Sequence, residues 1–177
     1  MSLEELRLDC AIKQKRGLHI IGASVIIWFI VLCVYLSPLD ILSKNFLTFC
    51  CTAPLIPISY VISKVIKVDF QNKENPLTNL GVLFSVNQML YLLIAMWVYP
   101  TVPEKMLMVL AIIFGAHLMP YSWLYKSKVY LVLSAVIPIC SLVVGLAFEP
   151  YILALMMLVI EVTFCISLIV ENRKLKL

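Results

Sequence analysis

Residues 151–170 read YILALMMLVIEVTFCISLIV, twenty positions with one formally charged side chain, Glu161. At about 1.5 Å of rise per residue, a helix of this length is about 30 Å long, which matches the hydrocarbon core of a bilayer. Twelve of its residues are Leu, Ile, Val or Phe. At roughly 0.3–0.6 kcal/mol each they outweigh the cost of about 3 kcal/mol for an acid at the helix centre. The stretch therefore reads as a transmembrane helix that carries an acid near its middle.

Five further apolar runs of similar length precede it, at 18–37, 46–66, 80–98, 106–125 and 129–148. Together the six consume most of a 177-residue chain that is 63% hydrophobic, with a mean hydropathy of +1.02. Residues so apolar cannot be hidden behind a soluble surface, so lipid must cover them. The expected fold is all-α, a six-helix transmembrane domain over 18–170. It is preceded by a short interfacial helix within 1–17 and followed by a basic tail at 171–177. Ser2-Leu3-Glu4-Glu5 has the pattern of a capping box for that first helix. Glu4, Glu5 and Asp9 sit where a secretory signal would be cationic, so the first run reads as a retained span.

Orientation follows from Lys and Arg. Twelve of the fourteen fall at the N-terminus, in the second and fourth connections and in the tail, against Lys44 and Lys105 on the other side. The positive-inside rule then places both termini in the cytoplasm. The same placement makes the +4 net charge a topological marker at a membrane surface and removes nucleic acid as a partner. The six cysteines show neither metal-ligand nor disulfide spacing and read as small apolar fillers. Neither a cofactor nor a metal is expected.

Two features fit a 3+3 inverted repeat. The middle span of each half carries interior prolines, Pro54 and Pro57 in one and Pro138 in the other, and Ile21-Gly22-Ala23 loosely echoes Phe114-Gly115-Ala116. Matched helix breaks in inverted halves point to a transporter site.

An acid as costly as Glu161 should face protein or water, and by default it marks a functional site. Asn87, Gln88 and His117 lie at a similar depth, as do Pro57 and Pro138, roughly 12–15 Å from the cytoplasmic ends of their spans. If these groups converge, they line a cytoplasm-facing polar cavity. Glu161 would then hold a proton or cation, His117 would be its partner, and Asn87 and Gln88 would orient a small solute. The alternative is separate interhelical hydrogen bonds that never meet. Small and hydroxyl residues at helical spacing, among them Ser59, Ser63, Gly81, Ser134, Ser141 and Gly145, read as faces of close helix packing. No H-E-x-x-H, G-x-S-x-G or P-loop is present, and no single span holds two carboxylates. An intramembrane enzyme acting on lipids would need an unfamiliar constellation.

Through Asp69-Phe70-Gln71-Asn72-Lys73, Asn87-Gln88-Met89-Leu90-Tyr91, Pro103-Glu104-Lys105-Met106 and the segment from Gly115 to Tyr125, the chain resembles a family of small six-helix bacterial membrane proteins of unknown function. The resemblance covers nearly the whole chain. It implies a bacterial cytoplasmic membrane but no activity and no site residues. Transport or binding of a small solute is the first expectation. A membrane-embedded interaction or stress-response subunit is the second and a lipid-modifying enzyme the third. The oligomeric state, homo-oligomers included, is left open.

Overall fold

The computed structural model describes residues 1–174. Of the tail expected at 171–177, residues 175–177, Lys176 among them, lie outside the described residues. Eight α-helices follow one another: α1 (Leu3–Lys13), α2 (Leu18–Leu36), α3 (Ile41–Thr52), α4 (Leu55–Val65), α5 (Leu77–Thr101), α6 (Met106–Leu124), α7 (Lys128–Ala147) and α8 (Pro150–Arg173). Among the described residues there is no strand. Five of the helices, α2, α5, α6, α7 and α8, are long and apolar enough to cross a membrane, and α3 with α4 makes a sixth if the pair is one broken span.

Local chemistry sets the ends. Ser2 caps α1, its hydroxyl accepting from Glu5 N while the Glu5 carboxylate accepts from Ser2 N, so the expected capping box is present. The carbonyl oxygen of the Asn75 side chain accepts from Leu77 N at 3.0 Å, at the entry to α5, whose N-cap is Pro76. Ser127 caps α7. α5 runs on to Thr101 through Pro100, a residue expected in a loop. Pro100 leaves the Met96 carbonyl without its usual N–H donor, and only one helical residue follows it.

The break expected in the second span is real. α3 ends at Thr52, Pro54 stands at the head of α4, and the two helix axes differ by 41°. Pro57, three residues into α4, has no N–H to offer the preceding turn. The break expected at Pro138 is absent: α7 continues through it. Gly115 of α6 faces this step, and a Cβ built there would lie 2.6 Å from Pro138 Cδ and 2.6 Å from Ile137 Cγ2. The proline ring fills space left open by the glycine, and this contact holds α7 against α6. The halves therefore do not share a broken middle helix.

The main core joins α2, α6, α7 and α8. It contains Ile27, Trp28 and Val31 on α2 and Leu153, Met157, Phe164 and Leu168 on α8. α5 stands at the margin. Only 11% of its span is buried, against 28% to 44% for the other four.

Candidate functional site

Glu161 projects from the middle of α8 into the face where α8 packs on α2, and it is 0% exposed. Its Oε2 is hydrogen-bonded to the Ser24 hydroxyl of α2, and that hydroxyl is also 2.8 Å from the Ile21 carbonyl in its own helix. A serine has one hydroxyl proton, and a main-chain carbonyl only accepts. Both contacts are made at once when the Glu161 acid donates to Ser24 Oγ and Ser24 donates to Ile21 O. The geometry fits a carboxylic acid. Its Oε1, the remaining carbonyl oxygen, has no partner among the described residues. An ionised carboxylate here would have at most one hydrogen bond, far too little for a buried charge.

The other candidates do not join it. His117 is half-buried on α6, and its Nδ1 donates to the Phe114 carbonyl at 2.8 Å, within its own helix. Its ring packs on Phe114 and Tyr121, with centroids 5.8 and 5.5 Å away. Asn87 is exposed on α5, where its side-chain amide donates to the Tyr91 hydroxyl at 3.0 Å, and Gln88 beside it is half-buried. None of the three hydrogen-bonds to Glu161, so the four side chains do not form one hydrogen-bonded cluster. Two surface grooves lie elsewhere. One of about 300 Å³ runs along α7 and α8 beneath Lys128, and one of about 420 Å³ lies where α3 meets Tyr99. Among the described residues, no three His, Cys, Asp or Glu side chains come together as a metal site, and all six cysteines are free.

Sequence reasoning missed the ordered polar plate at the basic end of the bundle. There the Arg7 guanidinium donates twice to the Trp123 carbonyl, at 2.8 and 2.6 Å, and lies 4.5 Å over the Trp123 ring. Glu4 pairs with Lys126 at 2.6 Å. Asp9 accepts from Asn72 and Asn75 at 3.0 and 2.7 Å and pairs with Lys13 at 3.1 Å, clamping α1 to the connection between α4 and α5. Burial pushes the Asp9 carboxyl up, but the hydrogen bonds from Asn72, Asn75 and Lys13 together outweigh it and hold it below the usual carboxylate range.

Arg16, 5% exposed, donates to the Glu171 carbonyl, the Asn172 side chain and the Tyr125 carbonyl. Lys15, Arg16 and Gly17 all have positive φ, at 45°, 51° and 70°, a run that bends the chain from α1 into α2. The clue in the sequence was the acids. Glu4, Asp9, Glu74 and Glu171 sit on the side where only Lys and Arg had been counted.

The fold defines a class: an all-helical chain with five helices able to span a membrane, or six with the bent pair, closed at one end by a polar plate. Within that class, the chain belongs to a family of unknown function, DUF7010, whose model matches residues 3–171. No curated protein and no solved structure matches it.

Proposed function

We propose that this chain is a membrane-embedded interaction subunit, inserted in a bacterial cytoplasmic membrane with both termini inside, which binds another protein side by side through α5. One observation carries the reading: Asn87, near the middle of the least buried span, is exposed. Its amide has two donors and a carbonyl, and one of those groups is engaged by Tyr91. Facing acyl chains, the rest would have no partner, and each unsatisfied polar group in hydrocarbon costs several kcal/mol. A second protein helix supplies the missing bonds. Extraction from the native membrane in lipid nanodiscs, followed by mass measurement, is expected to give a complex heavier than the single 20.1 kDa chain. A lone chain would remove the proposal.

A second reading, proton-coupled transport, rests on the unpartnered Oε1 of Glu161. It needs a path to Glu161, which is buried where α8 packs on α2. Transport would require those two helices to part.

A further inference from the structure

The partner for α5 can be named from the helix itself. Leu80, Leu83, Asn87, Leu90, Ile94 and Trp97 follow one another at spacings of three and four, the repeat of a coiled-coil seam. This stripe points away from α6: Leu83, Leu90, Ile94 and Trp97 are all at least half exposed, whereas Gly81, Ser85 and Ala95 face the bundle. With Asn87 in the first apolar position of the heptad, Leu80 and Ile94 share that position, and Leu83, Leu90 and Trp97 take the fourth. A single asparagine in such a seam fixes register and favours two strands, because its amide both donates and accepts and so complements a copy of itself.

Building on the interaction reading above, we infer that α5 is the interface of a parallel homodimer, with Asn87 hydrogen-bonded to Asn87 of a second copy across a two-fold axis along the membrane normal. Two arguments favour a second copy over another partner. Copies inserted in the same orientation bring identical positions of α5 level, so the amide charges, positive on N–H and negative on C=O, meet their complements at the same depth. Among the described residues, Asn87 is also the only amide, imidazole or charged side chain exposed in the middle of a span. A second copy of α5 therefore offers it an exposed amide, the group that matches both its donors and its carbonyl, where the other span faces offer at most hydroxyls such as Thr163. Apolar contact alone does not drive helices together in lipid, since acyl chains serve leucine as well, so the amide pair and the close fit of the seam supply the affinity.

The test uses the full chain with a benzophenone-bearing residue at Leu83, Leu90 or Met89, photolysed in native membranes and in pure phospholipid vesicles. Leu83 and Leu90 lie on the seam, and Met89 is equally exposed but off it. The expected result is a cross-linked dimer of this chain from positions 83 and 90 and little from 89, in both membranes. Asn87→Leu should weaken dimerisation in vesicles roughly 3- to 20-fold, read by energy transfer between labelled copies across a range of protein-to-lipid ratios. Unchanged helicity and monodispersity of that variant would show that the fold is intact. Equal cross-linking at all three positions would overturn the seam. Cross-links to a different protein in native membranes, with a monomer in vesicles, would overturn self-association and leave the interaction reading standing. Absence of protein cross-links in both membranes would overturn both.

Discussion

Ser24 has one hydroxyl proton and two oxygens in reach, Ile21 O and Glu161 Oε2, and a protonated Glu161 is the assignment that satisfies both contacts in full. The assignment predicts a carboxylic-acid carbonyl band in the infrared spectrum at neutral pH that disappears in Glu161→Gln. If only carboxylate bands change, the assignment is wrong. Ser24→Ala leaves the acid without its acceptor and should destabilise the protein by about 1–3 kcal/mol in a thermal or steric-trapping assay. Glu161→Gln, whose amide can still donate to Ser24, should cost far less. The same variant decides the transport reading, because equal solute flux in mutant and parent proteoliposomes would end it. The depth and burial of Glu161 were legible in the sequence because one acid sat alone in an apolar run. Its partner was not legible. Ser24 lies 137 residues away, and no local pattern says which two spans will touch. The contact of His117 was illegible for a related reason: a ring nitrogen can be satisfied by a carbonyl three residues back in its own helix, and position along a span does not reveal this.

At the scale of the helix, Gly115 packs tightly on the Ile137–Pro138 step. Gly115→Ala would press a methyl group against a ring that cannot rotate away, and a destabilisation of about 1–3 kcal/mol is expected in chemical or thermal unfolding. An unchanged midpoint would mean that α6 and α7 slide freely. The docking of α1 should depend on pH in a defined direction. Asp9 releases its proton more readily when docked than when free. Its contribution is therefore full above the ordinary carboxyl value of 3.8 and is lost as pH falls through the lower docked value. A fluorine label on Trp123 should report α1 leaving as the solution is acidified, with Asp9→Asn flattening the response; a signal that does not move would show that Asp9 does not hold the helix. Helix limits were read well where a cap or a proline sits at the true end, as at Ser2 and Pro54. They were read poorly at Pro100 and Pro138, where a last turn or a facing glycine accommodates the ring.

For the whole molecule, hydropathy located the long helices. Each of the six apolar runs corresponds to a long helix or to the bent pair, because the length of a span is a property of the run alone. Orientation is the testable remainder. Alkaline phosphatase fused at either terminus should be inactive in a bacterial host, and insertion after Leu39 or Val102 should make it active; the reverse pattern would invert the insertion. Charge counting was blind to the plate that these basic residues build, since ion pairs depend on which loops meet and not on totals. Arg16 meets Glu171 and Asn172, and Ser24 meets Glu161, so the first long helix has its chief partner in the last. During synthesis, Arg16, just ahead of α2, and Ser24 within it lack their α8 partners until the last helix emerges from the ribosome, with only the Tyr125 and Ile21 carbonyls to meet before then. A nascent chain arrested before α8 would remain an open half-bundle, and quality-control proteases that read unpaired polar groups within lipid would have that whole interval in which to seize it.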